Sequence, residues 1–342
     1  SVLDPGFTVF DKRVQYVTHD VTGLLSAGAN TLGAVLGRGF YGITTGNAWN
    51  HEKASWHGDP RMRAQLRIDY VDGRSETVVS GESWRTHDSP TLADSLYLGE
   101  TYDARKEIPG WDSPGTDLSE WQQVRAVDAP TQIVSAAENE PIKVVETHRA
   151  VEVTNPKPGV YVFRFPVTLA GWARLHVTGP KGTEVSLKYG EKLRGDGTVN
   201  HDNGLVVGDD TQVDRYILRG GSAETWEPRF SYKGFTYVEV DGYPGTPTLD
   251  ALEAREVHTA VPSTGEFTSS NELVNRIHTM TRQTILNNLH GIPTDTPFFE
   301  KNGWLGDAQM TAETAIDNFG MQRVYRKWLD DIRDSQGVDG LV

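Results

Sequence analysis

Four residues in one short stretch carry the chemistry that can be read most directly: Asp295, Glu300, Trp304 and Asp307, within GIPTDTPFFEKNGWLGDAQ at residues 291–309. Carboxylates that do acid and base work on a glycosidic bond need one member kept protonated near neutral pH. Phe298, Phe299 and Trp304 around Glu300 would supply desolvation that favours its protonated form, while Lys301 beside it acts in the opposite direction. The prolines at 293 and 297 fix the path of the stretch. The same spacing also suits a purely structural loop, with Asp307 as an N-cap and Trp304 in a core.

The flanking segments are helical. In SSNE, Ser269 is placed to cap a helix with Glu272 three residues on, and Leu273, Ile277, Met280, Thr284 and Ile285 then recur at helical spacing. A second pattern runs from Asp307 through Met310, Ala312, Ile316 and Phe319, and a third through Val324, Tyr325, Trp328, Leu329 and Ile332. Helices are expected at about 270–290, 308–319 and 321–334. Three helices with one apolar face each make a poor closed core, so an interrupted helical domain is expected.

Before residue 260 the idiom is different. Short β-branched or aromatic runs end at Gly, Pro, Asn or Asp, as in RVQYVTHDV, QLRIDYVDG, VYVFRFPV, EVSLKYG, DRYILRG and FTYVEVDG. The expected fold class is therefore multidomain, β then α: two antiparallel β-sandwiches, at 1–135 and 136–262, followed by helices at 263–342. The division is placed between Asp128 and Pro141, where periodic apolar content is low.

Composition bounds the partners. The 342 residues carry 33 Lys and Arg against 47 Asp and Glu, a formal net charge of −14, which repels nucleic acid and anionic lipid. Neither a nucleic-acid nor a membrane partner is expected. The absence of cysteine excludes disulfides, thiolate metal sites and a cysteine nucleophile, and suits an exported or a cytosolic protein alike.

Other clusters read as structure. The His residues lack metal-ligand spacing, so no metal and no cofactor are expected. Asp202, Asp209, Asp210 and Asp214 lack the pattern of an EF-hand loop and read as solvated loop carboxylates. In GETYDAR, Glu100, Asp103 and Arg105 read as an ion pair locking a strand end; a sugar contact shared with Trp111 is the alternative. WEPRFSYKGFTYVEV reads as a central strand with Gly234 at a bulge or turn.

The string PTDTPFFEKNGWLGDAQ, at the mouth of a helical region behind a long β region, resembles the catalytic signature of the glycoside hydrolase family 78 α-L-rhamnosidases. SVLDPGFTVFDKRVQY, GETYDAR and WEPRFSYKGFTYVEVDGYPG extend the resemblance over essentially the whole chain. It implies an inverting hydrolase acting on terminal α-L-rhamnose of glycosides or polysaccharides, built on an (α/α)6 barrel behind β-sandwiches. By position, Glu300 matches the general acid and Asp295 and Trp304 match sugar-binding residues, with Asp307 grouped with them as substrate-binding. Phe298 and Phe299 stand where many members have Arg and Asp, so that Arg's sugar contact is not expected here. The resemblance further implies that the opening strands of the first sandwich, the general base and the rest of the barrel lie outside this chain, which alone would have little activity. DLSEWQQV at 117–124 is similar to galactose-binding lectin folds, so a sugar-binding or assembly module is a competing reading. Another (α/α)6 glycosidase or lyase is a third.

Overall fold

The computed structural model describes residues 1–208 and 211–342. Ten strands form its main sheet: β1 (Thr91–Ser95), β2 (Gly99–Asp103), β3 (Ile142–Arg149), β4 (Glu152–Lys157), β5 (Val160–Val177), β6 (Glu184–Gly190), β7 (Val213–Ile217), β8 (Glu224–Trp226), β9 (Lys233–Asp241) and β10 (Leu252–Thr259). Their order is β1-β2-β7-β6-β9-β5-β10-β3, with β4 and β8 also paired to β5. All pairings are antiparallel except β2 with β7.

The long strand β5 curls the sheet. Its first part, Val160–Arg164, bonds to β4 and β9, and its last part bonds to β10 and β8. The register with β9 shifts between Arg164 and Leu169, around Pro166, which has no N–H to give the ladder. Gly171 follows at φ +151°, where a Cβ would meet the Arg255 carbonyl oxygen at 1.9 Å. The curl brings Val185 and Leu187 of β6 into one core with Leu252 and Ala254 of β10, along with Phe163, Phe165, Leu175 and Phe235. Burying such a side chain contributes about 1.5–3 kcal/mol.

This sheet crosses the division expected between the two sandwiches. It takes β1 and β2 from one side of the division expected near residue 135 and eight strands from the other. The rest of the first region makes only two-stranded pairs among the described residues: Val14–Tyr16 with Val134–Ala136, Gln65–Asp69 with Ser75–Val79, and Arg85–Thr86 with Gln122–Gln123. Residues 21–48 are rich in Gly, lack alternation and hold no strand among the described residues. Gly234 is likewise neither a bulge nor a turn: it pairs in register with Ala170.

Three helices follow: α1 (Glu272–Asn287), α2 (Leu305–Asn318) and α3 (Gln322–Ser335). The cap of α1 is Asn271, whose side chain accepts from Leu273 N at 3.0 Å, while Ser269 bonds instead to Asn275. Ile285, Leu289, Ala315, Phe319, Met321 and Val324 share a small core, but Leu273, Ile277, Met280, Met310, Ile316 and Leu329 face outward. Polar clasps fix α1 to the sheet. Asn287 receives Ala170 N at 3.1 Å and gives a bond to Thr168 O at 3.0 Å, and Gln283 donates to Glu256 at 2.8 Å. Among the described residues, no helix is long and apolar enough to cross a membrane.

Candidate active site

The connection from α1 to α2 is pinned at its start, because Thr259 N reaches Leu289 O at 2.7 Å and His290 Nε2 lies 2.8 Å from Val257 O. His290 stacks on Tyr232 at 3.7 Å, and burial holds its pKa down at about 3, so it is neutral there. The loop then closes on itself. Asp295 N donates to Asn302 O at 3.0 Å, and Asn302 N returns a bond to Asp295 Oδ1 at 2.9 Å. Thr296 Oγ1 donates to Asp295 Oδ2 and accepts from the amides of Phe299 and Glu300, each at 3.2 Å.

Lys301 and Glu300 point opposite ways. Lys301 has φ +54°, is fully buried, donates to Tyr232 O at 2.9 Å and to Pro297 O, and lies 4.3 Å over the Tyr232 ring. Desolvation, reinforced by the nearby Lys233 charge, holds its pKa far below the ordinary lysine range. The side chain therefore anchors the loop from within, turned toward Tyr232 O and Pro297 O rather than toward Glu300 as adjacency suggested. Gly234 makes room for this anchoring: a Cβ there would meet Pro297 Cγ at 2.8 Å and Phe298 N at 3.0 Å.

Glu300 is half-buried on the outer side, with Trp304 Nε1 donating to its Oε2 at 2.7 Å. Trp304 is exposed, not part of a core, and meets the Trp49 ring edge-on at 5.2 Å. Phe298 is buried beneath the loop and Phe299 is exposed, while Trp304 hydrogen-bonds the carboxylate. Asp307 is exposed in the first turn of α2, where its charge suits the helix N-terminus; the N-cap position is held by Trp304. Distant segments hold the loop backbone from outside: Tyr97 Oη donates to Glu300 O at 2.8 Å, and Asn203 Nδ2 donates to Phe299 O at 3.1 Å. Tyr97, Asn203 and Trp49 were not anticipated. The Tyr97 contact had a faint signal in the strand-like LYL before GETYDAR.

The other clusters separate. Asp103 binds Arg105 at 2.8 and 2.9 Å, the strand-end ion pair expected, and Trp111 lies against Gly33. Glu100 takes no part in that pair. It is buried and accepts from the amides of Arg229 and Phe230 at 2.9 and 3.3 Å. Burial, with the Asp214 charge adding to it, pushes its pKa up to about 7.

Asp214 is not a solvated loop carboxylate. It is fully buried against Lys233 at 2.6 Å and Tyr189 Oη at 2.7 Å, whereas Asp202 only caps Gly204. Asp209 and Asp210 lie outside the described residues. Glu146, His148 and Glu256 come within 4.8 Å of one another. Both oxygens of Glu256 are engaged there, by His148 at 2.6 Å and Gln283 at 2.8 Å, and the trio joins sheet to helix.

Against known families, residues 1–146 match the α-L-rhamnosidase N-terminal domain, 154–258 the bacterial α-L-rhamnosidase concanavalin-like domain, and 262–342 the bacterial α-L-rhamnosidase 6 hairpin glycosidase domain. The chain is 41% identical over 342 residues to an α-L-rhamnosidase of Streptomyces avermitilis. The chain belongs to the α-L-rhamnosidase family. The alignment with the S. avermitilis protein covers 99% of this chain and 32% of the relative; with an α-L-rhamnosidase of Formosa agariphila the identity is 35%, over 97% and 35%. The chain thus spans about a third of the length of these relatives. Among solved structures, the α-L-rhamnosidase of Dictyoglumus thermophilum superposes with a TM-score of 0.89 at 39% identity, over 98% of this chain and 37% of that one. The S. avermitilis α-L-rhamnosidase complexed with L-rhamnose gives 0.90 at 37% identity, over 99% and 32%.

Proposed function

We propose that this chain forms the acid-bearing part of an inverting α-L-rhamnosidase that releases terminal α-L-rhamnose from glycosides or polysaccharides. The observation that carries the reading is the Glu300 carboxyl, presented outward from a loop whose backbone is fixed from both sides, with the Trp304 N–H on Oε2. That bond leaves Oε1 as the oxygen that carries the acid proton. The proton passes to the glycosidic oxygen as the bond from that oxygen to the anomeric carbon breaks. Water attacks the anomeric carbon from the opposite face and gives its proton to a second carboxylate, about 6.5 to 9.5 Å from the first in inverting enzymes. The Trp304 N–H stabilises the Glu300 carboxylate that remains.

Asp295 and Asp307 hold sugar hydroxyls in this reading, Asp295 through the lone pairs that Asn302 and Thr296 leave free. Trp304 offers its exposed ring to the pyranose face. The general base and the remaining helices come from the two thirds of the relatives' length that this chain does not span. The outward apolar residues of α1, α2 and α3 support a docked continuation of an (α/α)6 barrel, because such surface seldom stays bare. The reading is tested by proton NMR of the full-length protein acting on a p-nitrophenyl α-L-rhamnoside. β-L-rhamnose should appear first and mutarotate afterwards; release of the α-anomer first, or no release, contradicts it.

A further inference from the structure

A cavity of about 620 Å³ opens on the outer face of the curled sheet, and no residue of the 288–304 loop lines it. Its floor follows from strand alternation. Trp172 and Arg174 are two apart on β5, and Arg255 of β10 pairs directly with Trp172, so all three project from the same face, opposite to core residues Ala173 and Leu175. Tyr102 and Trp226 border it from the core side, with ring centroids 6.0 Å apart.

Its charge runs against that of the chain. Three arginines, Arg174, Arg229 and Arg255, face two carboxylates, Glu107 and Glu227, on a protein of formal net charge −14. Glu107 is committed to Arg219 at 2.6 Å and to the Tyr102 hydroxyl at 3.1 Å. Glu227 is shared among Arg174 at 2.9 Å, Trp172 Nε1 at 3.1 Å and Arg255 Nε at 3.2 Å. The last is an ion pair without hydrogen-bond alignment, and Arg255 Nη1 donates to Thr147 Oγ1 at 2.5 Å, so this guanidinium is held within the protein. The exposed Arg229 guanidinium has no hydrogen-bond or ion-pair partner among the described residues; only its backbone is tied, to Glu100. An unspent guanidinium at the rim of a cavity of small-molecule size, above a floor formed by Trp172, matches a ligand with a carboxylate on a pyranose ring.

We propose that this cavity is a second saccharide site, separate from the Glu300 loop, that binds a uronate through Arg229. The test is calorimetry on the 342-residue chain with D-glucuronate, its uncharged methyl ester, L-rhamnose and inorganic phosphate. Glucuronate should bind, and the ester and rhamnose should bind at least tenfold more weakly. Arg229→Gln should weaken glucuronate at least tenfold while leaving the melting temperature in place, and raised salt should weaken it further. Glu300→Gln should not change it. The proposal is overturned if the ester binds as well as the acid, if phosphate competes as a full equivalent of the sugar, if Arg229→Gln is neutral or Glu300→Gln abolishes binding, or if glucuronate does not bind at all.

Discussion

Replacing Glu100 with Gln should make the protein more stable above neutral pH, with a gain of only about 1 kcal/mol at pH 5. The folded carboxyl keeps its proton up to about 7, whereas the ordinary value is 4.5. Between those values the folded state binds a proton that the unfolded chain has released, so the group's contribution is fully present below about 4.5 and is lost as pH rises through 7. The difference corresponds to about 3 kcal/mol, without discount for solvent because Glu100 is 1% exposed. Gln fits the same contacts: its carbonyl can accept from the Arg229 and Phe230 amides, and its NH₂ can face Thr91 Oγ1, which lies 3.4 Å from Glu100 Oε1. Urea unfolding of both proteins at half-unit steps from pH 5 to 8, followed by tryptophan fluorescence, reads the effect, since every other titration is common to the two. The curves should diverge by about 3 kcal/mol at pH 8, with the variant on top. Parallel curves would refute the argument that Glu100 is held protonated by its burial.

Three further substitutions test the framework of the site. Gly234→Ala places a methyl against Pro297 and Phe298 and should cost about 1–3 kcal/mol in unfolding free energy, with a change in the Trp304 emission as the loop is displaced. Asp214→Asn leaves Lys233 buried without its counter-charge and should cost about 3–5 kcal/mol, read by thermal unfolding. Lys301→Met removes the donor to Tyr232 O and Pro297 O and should cost about 1–3 kcal/mol, with faster amide exchange confined to residues around 295–302.

What the sequence made legible was local. The change of period near Ser269 placed α1, α2 and α3 within a few residues, because amphipathic spacing is a property of consecutive side chains. The loop between α1 and α2 places Glu300 and Trp304 in contact, as their closeness in sequence allows. Strand alternation tells which side chains share a face but not which strands pair, so the curl of β5 about Pro166 and Gly171 and the entry of β1 and β2 into the main sheet were hidden. Charge was misread where burial reverses its usual meaning: Asp214 is locked to Lys233, and Lys301 turns inward from a left-handed backbone, a conformation no neighbour in sequence announces. The contacts of Tyr97 and Asn203 with the loop span 203 and 96 residues, beyond any local pattern.

The central claim, that Glu300 gives its proton to the departing oxygen, is tested most directly by comparing Glu300→Gln with the parent in the full-length protein on two kinds of rhamnoside. Gln keeps the shape and an acceptor for the Trp304 N–H, so substrate binding should survive. On natural glycosides, whose leaving oxygen needs a proton, kcat should fall by about 10² to 10⁴-fold; on p-nitrophenyl α-L-rhamnoside, whose phenolate leaves unaided, the loss should be much smaller. Equal loss on both substrates would contradict the account and move the acid to another residue.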